Sequence, residues 1–287
     1  MGQQINRAIF GLLTSGTALA LPGLAMADQP QEWQLNFQDA ATPVAESMHS
    51  FHDMLLVIII AISVFVAGLL GYVMFRYRAG ANPNPSRTAH NTLIEVLWTV
   101  LPIMILVVIA IPSFRLLYFG DKAVDAQMTI KVQGYQWYWA YTYPDAGDLT
   151  IESRIAARTE AEATEGKIRL LSTDNPLVIP VDTTVRVLLT SDNVIHSWMV
   201  PSFGVQKYTT PGHTNETWFK VEKTGTYYGQ CNQICGSDHA FMPVEIKVVT
   251  KEEYAAWIAQ QKAQAGIPAD TAATTVASAH PAVAPAN

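Results

Sequence analysis

The chain has 287 residues, with 18 lysines and arginines against 24 acidic residues, for a formal net charge of −6. Only 15% of the residues are charged, against about 25% in an average soluble domain, and 49% are apolar. This composition excludes a disordered chain and a nucleic-acid binder with a basic surface. With only two cysteines, it also excludes a scaffold held together by many disulfides.

The N-terminal segment, residues 1–27, is typical of a cleaved secretory signal. Arg7 precedes an apolar run, Ala8–Ala20, and the segment ends in Ala25-Met26-Ala27. A basic start, a short apolar stretch and an A-x-A ending are the marks of such a signal. A third membrane helix is the alternative, although the interrupting polar, proline and glycine residues make a poor span. We expect the mature chain to begin at Asp28, outside the cytoplasm.

Two further apolar blocks, 54–75 and 93–119, are long enough to cross a bilayer. The connection between them contains Arg76, Arg78, Arg87 and His90 but no acidic residue. Cytoplasmic loops carry an excess of basic residues, so this loop is predicted to be cytoplasmic. Residues 28–120 therefore form an N-terminal segment and a two-helix transmembrane hairpin. We expect a multi-pass protein of the bacterial inner membrane, with both termini on the periplasmic side.

Residues 121–250 are predicted to form an all-β domain on the periplasmic side. Short segments rich in β-branched and aromatic residues alternate with turns of Gly, Pro, Asn and Asp, which favours an antiparallel sandwich or barrel. Residues 152–167 are polar and predict an inserted loop or a short helix. Residues 251–265 predict a C-terminal helix, and the Ala/Pro-rich residues 266–287 are expected to be disordered. The predicted strands cover 127–133, 135–143, 184–190, 216–222, 225–229 and 243–249.

The two cysteines lie in one short segment with other potential metal ligands. Cys231 and Cys235 are followed by His239 and Met242. A small disulfide loop is one interpretation, because the compartment is oxidising. It leaves the histidine and methionine unexplained, whereas thiolate, imidazole and thioether are donors that select copper. Two thiolates at this spacing can bridge a pair of copper ions.

A second imidazole has to come from elsewhere in the chain. Of the 7 histidines, His196 follows a predicted strand and is the best candidate. His49 and His52 lie where the chain enters the membrane, and His280 lies in the tail. Taken alone, His196 would be interpreted as a structural histidine, but the cysteine segment favours a ligand.

Together these features resemble subunit II of cytochrome c oxidase over roughly Ala45 to Gln260. The resemblance rests on the hairpin and on residues 133–139 (QGYQWYW), 196–198 (HSW) and 229–243 (GQCNQICGSDHAFMP). It implies a membrane-anchored cupredoxin-like Greek-key β-sandwich with a dinuclear copper A centre. By this resemblance Cys231 and Cys235 bridge both coppers. One copper is completed by His196 and Met242, and the other by His239 and the backbone carbonyl of Gln233.

The chain departs from the family pattern near this centre. The family usually has Glu between the cysteines, where this chain has Gln233, and Tyr208 and His213 replace an Asp and an Arg around the Pro-Gly turn. The copper ligand at position 233 is a main-chain oxygen, so copper binding should survive. The family's glutamate side chain reaches a Mg²⁺ shared with subunit I. An amide attracts Mg²⁺ less than a carboxylate does, so that site is expected to be weakened.

Three further residues receive roles from the resemblance. Trp137 corresponds to the tryptophan through which electrons enter, although it could instead belong to an aromatic core stripe. Glu95 lies at the cytoplasmic start of the second span and is the expected entrance of a proton path into subunit I. An interfacial carboxylate without function is the alternative. Asp192 is expected near the face that docks the basic cytochrome c.

The resemblance implies an electron-entry subunit of a respiratory cytochrome c oxidase. The chain would accept electrons from cytochrome c and pass them to haem in subunit I, where oxygen reduction is coupled to proton pumping. The oxygen-reducing site would lie in that partner, and the expected neighbours are subunits I and III, cytochrome c and the lipid bilayer. The alternative is a membrane-anchored copper-transfer chaperone that uses the C-x3-C pair. That class requires βαβ units and has no methionine at this offset.

Overall fold

The computed structural model describes residues 28–121, 123, 125–163 and 166–268. The expected signal segment, and the tail beyond residue 268, lie outside the described residues. In chain order, the described residues form two long helices, ten β-strands in two sheets, and a C-terminal helix.

Two long apolar helices form the N-terminal part of the fold. Helix α1 spans Pro43–Arg76 and α2 spans Thr92–Asp121, so the predicted spans lie inside longer helices. Pro43 suits the first position of α1, and the Thr42 hydroxyl caps the helix by accepting from the backbone N–H of Ala45. The apolar windows have mean hydropathies of 2.9 and 2.7 and none of their residues is buried. Such exposed surface requires lipid or a partner to cover it.

The strands form a sandwich of two five-stranded sheets. One sheet has the order β3-β2-β1-β5-β8 and the other β4-β10-β9-β6-β7, so the chain crosses repeatedly between them. The strands are β1 (Met128–Tyr135), β2 (Tyr138–Tyr143), β3 (Leu149–Ser153), β4 (Leu177–Pro180), β5 (Thr184–Ser191), β6 (His196–Val200), β7 (Val205–Thr209), β8 (Asn215–Lys220), β9 (Gly225–Cys231) and β10 (Pro243–Val249).

The sheets differ from the antiparallel expectation in two places. Strand β1 pairs in parallel with β5, and β4 pairs in parallel with β10. Parallel neighbours require a long crossover connection, and in both cases the intervening chain includes strands of the other sheet. Strands β3, β4, β6 and β7 were not among the predicted strands. Both β4 and β6 are short and almost wholly buried, so they lack the alternation that marks a half-buried strand. The described part of residues 152–167 contains no helix; β3 is followed by a loop.

The core lies between the two sheets. In β5 the inward side chains Val185, Val187 and Leu189 are fully buried while their neighbours are half-exposed, which is the period of a strand with one covered face. Helix α3 (Lys251–Gln264) covers one side of the sandwich. It begins with a capping box between Thr250 and Glu253, and Trp257 lies 5.5 Å from the buried ring of Tyr143.

The hairpin is docked on one end of the sandwich, which we call the hairpin end. The Thr42 hydroxyl donates to the carbonyl of Phe203 at 2.8 Å, in the turn between β6 and β7. The Trp218 indole donates to the carbonyl of Phe119 at the end of α2, at 2.7 Å. Gly204 has φ of +65°, and a β-carbon there would lie 2.9 Å from the Cα of Ala45. This close approach holds the start of α1 against the sandwich.

Candidate metal centre

Strand pairing brings His196 next to the cysteine segment at the opposite end of β6. Strands β6 and β9 are antiparallel neighbours, with Trp198 opposite Cys231. His196 lies two residues before Trp198 and therefore on the same face of the sheet. At about 3.3 Å per residue, the four steps from His196 to Val200 separate this end from the hairpin end by about 13 Å. We call residues 231–242, which connect β9 to β10, the metal loop.

Five potential ligands lie within one small volume. The sulfurs of Cys231 and Cys235 are 3.9 Å apart, and the Cys231 sulfur is 3.8 Å from Nδ1 of His196. Nδ1 of His239 lies 3.6 Å from the Cys235 sulfur, and the carbonyl oxygen of Gln233 lies 3.4 Å from the Cys231 sulfur. Ligand atoms of His196, Cys231 and Cys235 all lie within 4.8 Å of one another.

Met242 closes the metal loop. Its side chain is 1% exposed and belongs to the same buried cluster as both cysteines. Its carbonyl accepts the backbone N–H of Cys231 at 3.0 Å, so the two ends of the loop are joined directly. This places Met242 beside Cys231 at the start of β10.

The spacing of these atoms fits a metal centre better than a disulfide. A disulfide requires sulfurs about 2.05 Å apart, and both cysteines are free thiols in the structure. Nitrogen and sulfur ligands with bonds of about 2.0–2.3 Å lie about 3.5 Å from each other around one tetrahedral ion. The observed separations of 3.6–3.9 Å are close to that value.

The electrostatics of the donors also suit a metal. Burial, with a smaller contribution from His239, lowers the pKa of His196 to about 4, so its imidazole is neutral at physiological pH and keeps a lone pair for a ligand bond. Burial and the neighbouring Cys231 raise the pKa of the Cys235 thiol to about 12. A metal ion would have to displace that proton, as is usual when thiols become ligands. Soft sulfur donors with imidazole favour copper over hard cations.

Trp137 lies directly against the metal loop. Its indole N–H donates to the carbonyl of Cys235 at 3.2 Å, and the neighbouring Gln136 amide donates to the same oxygen at 2.8 Å. Gly236 has φ of +126°, and a β-carbon there would lie 2.9 Å from the indole ring. Trp137 is half-buried, so one part of it packs on the core cluster and another faces solvent.

Sequence reasoning missed several residues that shape the centre. A β-carbon on Gly134 would lie 2.8 Å from the imidazole of His196, so the glycine in β1 leaves room for that ring. Gln136, Gly236 and the loop residue Arg158 also contact the metal loop or its tryptophan. A glycine inside a strand is the only one of these signals that sequence alone displays.

Two residues that the sequence singled out lie away from the centre. Glu95 is in the first turn of α2, where its carboxylate accepts the backbone N–H of Asn91 at 3.2 Å. Helix α2 would be about 45 Å long at 1.5 Å per residue, so Glu95 lies far from the sandwich. Asp192 is exposed just after β5, four residues before His196, and its backbone N–H donates to Gly134 at 3.1 Å.

Comparison with known proteins identifies relatives over most of the chain. Residues 128–249 match the family model of the cytochrome c oxidase subunit II periplasmic domain, and residues 30–116 match that of its transmembrane domain. A Rickettsia prowazekii protein named "Probable cytochrome c oxidase subunit 2" is 51% identical over 233 residues, which cover 81% of this chain and 74% of that protein. Cytochrome c oxidase subunit 2 of Zea mays is 43% identical, covering 83% of this chain and 93% of that protein.

A solved structure is also similar to the sandwich. The periplasmic domain of subunit II of cytochrome oxidase of Bradyrhizobium japonicum is 45% identical, with a TM-score of 0.46, and the match covers 50% of this chain and 99% of that chain.

These matches do not favour the copper-chaperone alternative. Within the described residues, the strands form a sandwich and no βαβ unit is present. Two apolar helices, a cupredoxin-like sandwich with a sulfur- and histidine-lined site, and relatives of about 50% identity agree with one another. The chain belongs to the cytochrome c oxidase subunit II family, and is thus a membrane-anchored subunit of an oxidoreductase complex.

Proposed function

We propose that the chain is the electron-entry subunit of a respiratory cytochrome c oxidase. It accepts electrons from cytochrome c at a dinuclear copper centre and passes them to haem in subunit I, where oxygen reduction is coupled to proton pumping. Cys231 and Cys235 would bind both copper ions. His196 and Met242 would be the further ligands of one, and His239 and the carbonyl of Gln233 those of the other.

One observation carries this proposal. Each cysteine sulfur has a histidine Nδ1 beside it, at 3.8 and 3.6 Å, and the two sulfurs are 3.9 Å apart. Each sulfur thus has one histidine nitrogen beside it, and the two sulfurs lie next to each other between the two histidines. A blue-copper site, which holds a single ion, uses one cysteine, whereas both cysteines belong to this cluster.

When bound, copper supplies a redox centre that takes up and gives back one electron at a time. The chain's residues keep that centre in a fixed, water-poor environment. His196, Cys231, Cys235 and Met242 are buried; His196 begins β6, Cys231 ends β9, and Met242 immediately precedes β10. A rigid ligand set that changes little between oxidation states favours rapid electron exchange, because little reorganisation is required.

Trp137 is the proposed point of electron entry. Its indole contacts the carbonyl of Cys235 and also reaches the surface. The side chain therefore connects solvent-facing surface to a proposed copper ligand through one hydrogen bond. Asp192, exposed at the end of β5, is proposed to lie on the face that docks the basic donor.

The membrane part is proposed to serve subunit I. The bare apolar faces of α1 and α2 would be covered by lipid, subunit I and subunit III. The arginine-bearing loop between the helices is placed on the cytoplasmic side, with both termini and the sandwich in the periplasm of a bacterial inner membrane. In this orientation the Glu95 carboxylate lies near the cytoplasmic face, where it is proposed to be the entrance of a proton path. With Gln233 in place of a glutamate, any Mg²⁺ at the subunit I interface depends mainly on the partner's ligands and water.

Rapid mixing of the assembled oxidase with reduced cytochrome c tests this proposal. The absorbance of the copper centre should be bleached first, and haem reduction should follow with a delay. If haem is reduced without any preceding change in copper absorbance, electrons bypass this chain and the proposed function is wrong.

A further inference from the structure

The described residues between β3 and β4, 154–163 and 166–176, which we call the β3–β4 loop, fold against the strands that carry the metal loop. Thr173 bridges to Ile155, and its backbone N–H donates to the buried carboxylate of Glu245 in β10 at 2.5 Å. Lys167 donates to the carbonyl of Thr173 at 2.6 Å, and Gln230 in β9 donates to the carbonyl of Leu170 at 3.4 Å. The base of this loop is therefore attached to both β9 and β10.

The backbone at Arg158 is fixed within that loop. Its N–H donates to the carboxylate of Glu162 at 2.6 Å, and the N–H of Thr159 donates to the same oxygen at 3.2 Å. The preceding Ala157 is fully buried, and its carbonyl accepts from Leu170 at 2.9 Å. The side chain of Arg158 thus projects from an anchored position.

The Arg158 side chain contacts one residue before and one residue after a proposed ligand, His239. The guanidinium donates to the carboxylate of Asp238 at 3.1 Å, and its carbon lies 4.9 Å from the ring centroid of Phe241. Asp238 and Phe241 lie on either side of His239, in and beside a single 3-10 turn, His239–Phe241. The Arg158 guanidinium therefore contacts the turn on both sides of His239, whose Nδ1 lies beside the Cys235 sulfur.

The turn that contains His239 has few other contacts that would hold it in place. Asp238 makes no side-chain cap to the turn, whose backbone bonds include a long one of 3.3 Å from the His239 N–H to the Gly236 carbonyl. Gly236 has φ of +126°, which glycine adopts readily because it has no β-carbon, so no side chain at this position restrains the turn. His239 is only half-buried, whereas His196 is fully buried in β6. Of the two histidines, His239 is the one whose position requires outside support.

We propose that Arg158 is a positioning residue that fixes His239 toward Cys235 by holding Asp238 and Phe241. This inference rests on the proposed copper-binding function. Both side chains are partly exposed, at 47% for Arg158 and 32% for Asp238, so the ion pair contributes little to global stability and its effect is local. Residues that orient metal ligands change metal affinity by about 10- to 100-fold when they are replaced.

Arg158→Gln in the full-length chain in detergent tests the role. Copper affinity should fall by about 10-fold, the lower end of that range, and the hyperfine pattern of the copper EPR signal should change. In the copper-free chain, the amides of His239 and Phe241 should exchange hydrogen faster, while the thermal unfolding midpoint stays the same. Arg158→Lys keeps the charge near Asp238 but loses the planar contact with Phe241, so it should restore only part of the affinity.

Arg169→Gln is the matched control. Arg169 belongs to the same loop and pairs with Glu160 at 2.6 Å. It should leave copper affinity, EPR signal and amide exchange unchanged. Asp238→Asn, which removes the other half of the pair, should reproduce the Arg158→Gln result.

The two proposals fail in different ways. If the unaltered chain binds copper as a dinuclear centre, and Arg158→Gln matches it in affinity, EPR signal and amide exchange, the positioning role is wrong. If the unaltered chain forms no dinuclear centre, the proposed function is wrong. In that case the amide exchange of the copper-free chains still decides whether Arg158 holds the turn.

Discussion

The two ends of the β-sandwich are built in different ways. At the hairpin end, backbone carbonyls of the turn between β6 and β7 accept hydrogen bonds from the segment before α1: the Thr42 hydroxyl donates to Phe203 and the Ala41 N–H donates to Ser202. The Trp218 indole likewise finds the Phe119 carbonyl at the end of α2. At the opposite end, which carries the metal loop and which we call the metal end, two free thiols lie 3.9 Å apart and each has a histidine Nδ1 beside it, at 3.8 and 3.6 Å.

The difference lies in the kinds of group that meet at each end. Hydrogen bonds join the sandwich to the helices at the hairpin end, whereas the metal end gathers sulfur and imidazole donors at separations of 3.6–3.9 Å, which suit ligands of a metal. Hydrogen bonds and close packing explain the hairpin end, whereas the proposed copper would explain the cluster of donors at the metal end. Changes at the metal end should therefore affect chemistry, and changes at the hairpin end should affect stability.

The largest effect is expected at the metal end. Cys235→Ser leaves at most one thiolate between the copper ions, and thiolate donation is what holds them together. The mixed-valence signal and cytochrome c oxidation should both be lost. EPR spectroscopy of the copper-loaded variant measures this. Ser237→Ala, in the same loop, is the control and should keep the signal; an unchanged dinuclear spectrum in Cys235→Ser would refute the ligand assignment.

Trp137→Phe should slow electron entry by at least an order of magnitude while copper is retained. Phenylalanine preserves apolar contact but loses the larger ring and the N–H that donates to Cys235. Rapid mixing with reduced cytochrome c measures the rate. Trp257→Phe, the same replacement in α3, should have no effect. Undiminished transfer in Trp137→Phe would assign Trp137 to the core stripe instead.

Glu95→Ala should slow turnover without changing the rate at which cytochrome c reduces the copper centre, because protons and electrons are proposed to enter from opposite faces. Stopped-flow measurements time the two steps separately. Glu95→Gln keeps an acceptor for the N–H of Asn91 but cannot ionise, and it should slow turnover similarly. Slower copper reduction in either variant would indicate damage to the hairpin rather than a blocked proton path.

At the hairpin end, Gly204→Ala should lower the free energy of unfolding by about 1–3 kcal/mol. A β-carbon there would lie 2.8 Å from the Met48 sulfur and 2.9 Å from the Cα of Ala45, at a φ of +65°. Thermal unfolding in detergent measures the loss, and the copper spectrum should remain unchanged. Gly212→Ala has a similar φ of +73° in open space and separates backbone strain from the clash. A disturbed copper spectrum in Gly204→Ala would show that the two ends are coupled.

The smallest effect is expected from Gln233→Glu. The main-chain oxygen of residue 233 is available with either side chain, so the copper spectrum should hardly change. A carboxylate should bind a hard divalent cation more tightly than an amide does, and the difference is visible as stronger Mn²⁺ substitution by EPR in the assembled complex. Asn232→Asp adds the same charge one residue away as a control. Equal occupancy in the parent chain and in Gln233→Glu would mean that the partner alone determines the site.

The sequence revealed the metal end more fully than the rest of the fold. Cys231, Cys235, His239 and Met242 lie within twelve consecutive residues, so their spacing alone indicated a metal. The transmembrane hairpin was also predictable, because an apolar block of about 20 residues is typical of a membrane-spanning helix. Both features depend on residues that are close together in the sequence.

Features that depend on distant residues were harder to predict. Strand β6, which carries His196, is short and buried, and the parallel pairing of β1 with β5 joins segments that are separated by three other strands. The contact of Arg158 with Asp238 spans 80 residues. An arginine in a polar loop has no local pattern that would distinguish it from a solvated charge, so only the folded structure reveals its role.

The central claim is that the metal end holds two copper ions between two cysteines. Metal analysis combined with EPR of the copper-loaded full-length chain in detergent tests it most directly. The account predicts two copper ions per chain and one unpaired electron shared equally between them, with a hyperfine pattern of two equivalent nuclei. One copper per chain with a single-nucleus pattern, or a colourless dithiol that binds none, would contradict it.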